Sequence, residues 1–182
     1  MTLEIVQTGH PVLRQVARMM SADEILSAET QQLIVQMRDT MRAAPGVGLA
    51  APQIGEPLQL AVVEDSVEYL KDASAEQLAR LSRAPVDFHV IINPKLTLVG
   101  DETVEFFEGC LSVEGFGALV RRNFNVHVEC LNERAEPIII DAQGWYARIL
   151  QHEIDHLNGT LYIDRMQTRS FTTVENAERF RE

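Results

Sequence analysis

Cysteine is scarce in this chain: Cys110 and Cys130 are the only two in 182 residues. That excludes a disulfide framework and fits a reducing compartment. Long apolar runs are missing too, since none approaches the roughly 20 residues a membrane-spanning helix needs. Positive charge is the third shortage. Lys and Arg number 16 against 27 Asp and Glu, a formal net charge of −11, which argues against a broad electrostatic grip on nucleic acid. Met1-Thr2-Leu3-Glu4-Ile5 shows neither a signal-peptide apolar core nor an Arg/Ser-rich transit stretch. The expected location is therefore cytoplasmic, or organellar if a transit peptide has been removed. Repeats, low-complexity tracts and flexible linkers are also lacking, so residues 1–182 read as one domain. A hydrophobic content of 46% and a charged content of 24% suit a soluble globular chain with a substantial core.

What the sequence does have is Gln151-His152-Glu153-Ile154-Asp155-His156-Leu157. On a helix, histidines at i and i+4 share one face, a turn apart, where both can reach one metal ion. Glu153 lies about 100° around the helix from His152, so it flanks a metal without ligating it. Two neutral nitrogen ligands and a carboxylate are what a metal-activated water needs. The competing reading is a helix with two surface histidines. Ile149, Leu150, Ile154 and Leu157 make the helix apolar on more than one side, as in a buried helix, and favour the metal.

Elsewhere, Gly9-His10-Pro11 signals a turn. Thr30–Ala44 reads as a helix with Leu33, Ile34, Met37 and Met41 on one stripe, ended by Pro45-Gly46. Leu58–Val63 reads as a strand. Ser66–Ala84 reads as a loop with a short helix over Ala75–Leu81. Strands are predicted at Phe88–Ile92, Leu96–Val99 and Thr103–Phe107, with turns at Asn93-Pro94 and Gly100-Asp101. Phe124, Val126, Val128 and Cys130 alternate with Asn125, His127 and Glu129, a half-buried strand. Asn132–Ala135 turns it back along Pro137–Ile140. The metal helix then runs from Gly144-Trp145 to Asn158-Gly159, before a last strand at Thr160–Ile163. Adjacent strands with helices set apart predict an α+β fold, with antiparallel and mixed sheets packed around the C-terminal helix.

A catalytic metal usually has three protein ligands and an open position. Glu175 and Glu178 stand where a thermolysin-like peptidase would place its third, although both also read as a solvated, charged terminus. The longer motif ending in a third histidine is excluded, because Tyr162 occupies that position. His10, His89 and His127 are isolated and read as solvated. Cys130 reads as a small core residue. Cys110, in Glu108-Gly109-Cys110-Leu111-Ser112, is equally a ligand or nucleophile and a core thiol on composition alone. Gly46-Val47-Gly48-Leu49-Ala50-Ala51-Pro52-Gln53 fails both phosphate-loop spacings, leaving a tight connection or an exposed backbone edge with one polar side chain, Gln53.

Those three stretches, in that order, resemble the three signature motifs of the peptide deformylases, and the resemblance covers almost the whole chain. It implies a metal held by Cys110, His152 and His156. The native ion would be Fe(II), one per chain, with Zn, Ni or Co able to occupy the site. It implies removal of the N-formyl group from the initiator N-formylmethionine of nascent polypeptides, with release of formate. The metal lowers the pKa of a water, Glu153 takes the proton, and the hydroxide attacks the formyl carbon. The Gln53 amide and the Leu111 backbone N–H would stabilise the oxyanion. Val47, Gly48 and Gly109 would offer backbone groups to an extended substrate. Val47, Phe106, Trp145, Ile149 and His152 would line the methionine pocket. Asp155, with Arg122 as partner, and Glu108 would support the ligand helix.

Two departures accompany the resemblance. Glu114-Gly115-Phe116 follows Cys-Leu-Ser-Val where many bacterial members have proline, and Gly117 falls where many carry a substrate-contacting arginine. The form is closer to the subgroup of organelles and some bacteria. Arg165, Arg169, Arg179 and Arg181 alternate with Asp164, Glu175, Glu178 and Glu182, so no basic ribosome-docking helix is expected. Expected partners are formylated peptides, with no nucleic acid and no membrane, for a monomer or homodimer.

Overall fold

Leu60, Ala61, Val62 and Val63 are all fully buried, so this strand has no polar face. The reason is that helices cover both of its sides. Ala61 and Val63 pack with the C-terminal helix, while Leu60 and Val62 pack with an N-terminal helix.

A computed structural model of the chain describes residues 2–44, 46–71 and 73–180. Met1, the Pro45 of the expected helix stop, and Arg181 and Glu182 of the C-terminal charge pattern lie outside the described residues. The elements in order are α1 (Ala22–Leu26), α2 (Ala28–Ala43), β1 (Gly48–Ala50), β2 (Leu60–Asp65), α3 (Val67–Leu70), α4 (Ala75–Leu81), β3 (Val86–Cys110), β4 (Val113–Leu131), β5 (Pro137–Gln143), α5 (Gly144–Leu157), β6 (Thr172–Thr173) and α6 (Val174–Phe180). Strands β1 to β5 neighbour one another in chain order, and β6 pairs with β4. Every ladder among the described residues is antiparallel, with one isolated parallel bridge between Arg18 and Leu58. The α+β expectation holds; the mixed sheets do not, because every pair of neighbouring strands runs antiparallel.

Ser27 caps α2 by accepting from the Thr30 N–H at 3.2 Å, which starts the helix at Ala28. Ile34, Met37 and Met41 then fall on its buried face. Short α1, capped by Ser21 and Glu24, was not legible beforehand. Nor was α3, in the segment read as loop.

β3 is one strand of 25 residues where three were expected. Asn93 and Gly100, both with positive φ, sit at register shifts within the β3–β4 ladder. They are bulges that bend a continuous hairpin, and not turns that end strands. Thr160–Ile163 is likewise not a strand: Tyr162–Asp164 is a 3-10 turn, with the Leu161 N–H donating to Asp164 Oδ2 at 2.8 Å.

Helix α5 packs against one face of this sheet. Ala147, Ile149, Leu150, Ile154 and Leu157 pack on Ala61, Val63, Ile91, Val126, Val128 and Ala142. Truncating a fully buried member such as Leu150 to alanine costs about 2–5 kcal/mol. Gln151 is buried on the same helix, and its Nε2 donates to the carbonyls of Asn123 and Ala147. Gly159, at φ +71, takes the left-handed conformation that stops α5 where expected. No helix among the described residues is long and apolar enough to cross a membrane.

Candidate metal centre and active site

Three elements converge on one point. The end of β3 supplies Cys110, α5 supplies His152, Glu153 and His156, and the 3-10 turn after β1, Ala51–Ile54, supplies Gln53. Cys110, His152 and His156 form the one group of three such side chains placed to hold a metal among the described residues. Their ligand atoms all lie within 4.8 Å of one another. Cys110 Sγ is 3.3 Å from His156 Nε2. These separations suit a single ion with bonds of about 2.0–2.3 Å to nitrogen and sulfur. One thiolate and two imidazoles are a donor set for iron, zinc, nickel or cobalt.

The two histidines are supported unequally. His152 Nδ1 lies 3.0 Å from Glu108 Oε2, which turns Nε2 toward the cysteine. His156 is buried, and its Nδ1 has no hydrogen-bond partner among the described residues. Burial, with the charges of His152 and Arg122, pushes His156 well below the usual histidine range, which keeps it in the neutral, ligating form.

Glu108 is the hub behind this pair. Arg122 grips it through Nε and Nη2, both at 2.9 Å, and the Arg148 guanidinium bonds its Oε1. Burial alone would raise this carboxyl, but the His152 and Arg122 hydrogen bonds outweigh it and hold it well below the usual range. Arg122 also reaches Asp155, which accepts from Arg165 Nε at 2.6 Å and Nη2 at 2.7 Å. The expected Asp155–Arg122 pairing and the Glu108 support are therefore present. Arg148 and Arg165 were missed. A charged residue inside the apolar run Ala147-Arg148-Ile149-Leu150 was the available signal for the first.

Glu153 is buried, and burial pushes its carboxyl up to about 7, opposed by the charges of His152 and Arg122. A divalent cation beside it would pull that value back down. Gln53 is fixed by its oxygen, which accepts from the Ala50 N–H at 2.9 Å. This leaves Nε2 facing Cys110 Sγ at 3.6 Å and Ser112 Oγ at 3.3 Å. Leu111 occupies the two-residue turn between β3 and β4.

A cleft of about 390 Å³ opens onto these groups. Val47, Gly48, Gln53, Gly109, Cys110, Leu111, Trp145, Ile149, His152 and Glu153, all expected at the site, line it. Phe106 does not. The pleat of β3 turns its ring to Arg148, whose guanidinium carbon lies 5.1 Å from the ring centre, and Phe107 takes the lining position. Arg148 and Val174 also line the cleft.

The other candidates lie apart. Glu175 and Glu178 are exposed on α6 and do not join the cluster, which removes the thermolysin-like alternative. His127 pairs with Asp141 at 2.7 Å, and His10 caps the turn that starts at Pro11. His89 is not simply solvated, since its ring bonds the Asp87 carbonyl at 2.8 Å and the Tyr146 hydroxyl at 2.9 Å. Cys130 is buried in the core, as expected.

Fold and site together define an α+β protein whose HExxH helix and a strand-end cysteine form a Cys-His-His metal centre next to a buried glutamate. The pattern of the polypeptide deformylase family matches residues 2–171, and the chain belongs to that family. It is 50% identical over 175 residues to "Peptide deformylase 1A, chloroplastic" of Solanum lycopersicum, covering 96% of this chain and 63% of that protein. It is 48% identical over 177 residues to "Peptide deformylase 1" of Bifidobacterium longum, covering 97% and 78%. The crystal structure of a class I type b peptide deformylase from Acinetobacter baumannii, bound to Met-Ala-Ser, superposes with a TM-score of 0.80. It is 31% identical and covers 91% of this chain and 99% of that one. The chain spans less than two thirds of the tomato relative's length. The organellar-like subgroup expected from Glu114-Gly115-Phe116 agrees with the match to the chloroplastic protein.

Proposed function

We propose that the chain is a metal-dependent hydrolase that removes the N-formyl group from the N-formylmethionine of new polypeptides and releases formate. One observation carries this reading: Cys110, His152 and His156 converge with Glu153 and the Gln53 amide beside a cleft of about 390 Å³.

A divalent metal on the three ligands would supply Lewis acidity and a water acidic enough to ionise near neutral pH. Glu153 is placed to take up the proton of the attacking water. As that water's oxygen bonds to the formyl carbon, Gln53 Nε2 and the Leu111 N–H would donate to the formyl oxygen as it gains charge. The carbon–nitrogen bond then breaks, and Glu153 delivers its proton to the leaving amine. Val47, Gly48 and Gly109 offer backbone groups to the extended peptide, and Trp145, Ile149 and Phe107 border the methionine side chain.

Residues 1–182 act as one catalytic domain. The proposed form is a monomer or a homodimer. Iron(II) is the proposed native ion, with Zn, Ni and Co as substitutes; the Cys-His-His donor set supports this. The proposed place of work is wherever formylated chains are made, in a bacterial cytoplasm or in an organelle, as the name of the chloroplastic relative suggests. Nucleic-acid binding and membrane binding are not part of the proposal.

Metal content separates this reading from a peptidase. Cys110→Ser should lose bound metal while Glu175→Gln retains it. The reverse result would overturn the proposal.

A further inference from the structure

Arg148 belongs to none of the motifs, yet it is 2% exposed and stands one helical turn before His152. Its guanidinium makes contacts on three sides. Nη1 donates to Glu108 Oε1 and to the Val120 carbonyl at 3.0 Å, and Nη2 donates to the Val104 carbonyl at 2.8 Å. Val104 lies on β3 and Val120 on β4, so Arg148 ties α5 to both strands of the hairpin that ends in Cys110. Glu108 in turn contacts His152 Nδ1. The path from α5 at Arg148, through Glu108 on β3, returns to α5 at His152 and closes a ring around one helical turn.

Charge neutralisation does not require this arrangement. Arg122 already meets both oxygens of Glu108 with paired hydrogen bonds. A second buried arginine on the same carboxylate adds desolvation that must be offset. Arg122 reaches α5 only beyond His152, at Asp155, whereas Arg148 ties Glu108 to the turn of α5 just before His152 and to the Val104 and Val120 carbonyls as well. Resting on the metal site argued above, we propose that Arg148 is a positioning residue for the metal ligand His152, acting through Glu108.

The same side chain also borders the cleft beside Trp145, Ile149 and His152. The wall and the support of the ligand therefore share one residue.

The test uses the Co(II)-loaded full chain, read by its visible spectrum and by the rate of Co(II) release into excess chelator. Arg148→Met keeps the stem and removes the guanidinium. It should release Co(II) about 10-fold faster, the lower end of what outer support of a ligand usually contributes. Its ligand-field bands should also move. Arg148→Lys, which can still reach Glu108 but not the two carbonyls as well, should fall between Met and wild type. If both variants melt at lower temperature yet keep the wild-type release rate and spectrum, Arg148 is packing alone and the proposal is wrong. Should the Met variant fail to fold, the Lys variant decides on the same two readouts. A wild-type chain that binds no Co(II) would overturn the metal site, and this inference with it.

Discussion

Gly48 lies directly against Glu153: a Cβ on Gly48 would stand 2.2 Å from Oε1, 2.5 Å from the carboxyl carbon and 2.8 Å from Cγ of that glutamate. The backbone edge of β1 is therefore a wall against the Glu153 carboxylate, the group proposed to carry the proton. Glycine here is a matter of space, since any side chain would have to displace Glu153.

Gly48→Ala should lower kcat by roughly 10- to 100-fold, part of the 10²–10⁴ that a placed acid–base group contributes. Stability should fall by about 1–3 kcal/mol, the usual effect of overpacking. Steady-state kinetics on a formylated tripeptide checks it; an unchanged kcat would mean that Glu153 tolerates displacement.

Arg122 joins Glu108 to Asp155 behind the ligand helix, with all three side chains largely buried. Arg122→Met should destabilise the fold by about 3–5 kcal/mol, because it strands buried carboxylates. The exposed pair Lys95–Glu129 is the control, and Lys95→Met should leave the denaturation midpoint in place. Urea titration of both variants is the measurement.

Gly117 falls where family resemblance leads one to expect a substrate-binding arginine, but the site has no room for it. A Cβ there would lie 2.3 Å from a Phe107 ring carbon and 2.8 Å from the Glu108 carbonyl oxygen. Gly117→Arg should therefore lower the melting temperature and leave KM for longer peptides no better than wild type. A tighter KM at unchanged stability would show that Phe107 swings aside.

Cys130 should control part of the alkaline limb of stability. Burial raises its thiol from an ordinary 9.0 to about 11, so the folded chain keeps a proton that the unfolded chain releases. The stability this provides is intact below about pH 9 and is lost as pH rises toward about 11. Half-buried Tyr146, also pushed up by desolvation, acts in the same direction. Cys130→Ala should reduce the slope of unfolding free energy against pH in that window without abolishing it. In native protein at pH 8, Cys130 should resist thiol reagents that label it once the chain is denatured.

Much of the site was legible because its logic is local. The i, i+4 histidines, the glutamate between them and the Gly159 stop follow from helix geometry, and Cys110 followed from resemblance. The α+β frame was legible from the run of strands. What stayed hidden depends on distant contacts. Asn93 and Gly100 look like turn residues, and only pairing with β4 over the whole hairpin makes them bulges. Phe106 and Phe107 differ by one step of the pleat, and the face that meets the cleft is set by the sheet's orientation to α5. Arg148 reads as an ordinary helix residue until folding brings Glu108, Val104 and Val120 to it.

Formate release tests the central claim most directly. Metal-loaded wild-type chain and Glu153→Gln are incubated with formyl-Met-Ala-Ser, and formate and the peptide products are quantified. The account predicts stoichiometric formate and intact Met-Ala-Ser from the wild type, with release at least about 100-fold slower from the variant. A metal-loaded wild type that releases no formate, or that cuts the peptide after its methionine, would contradict it.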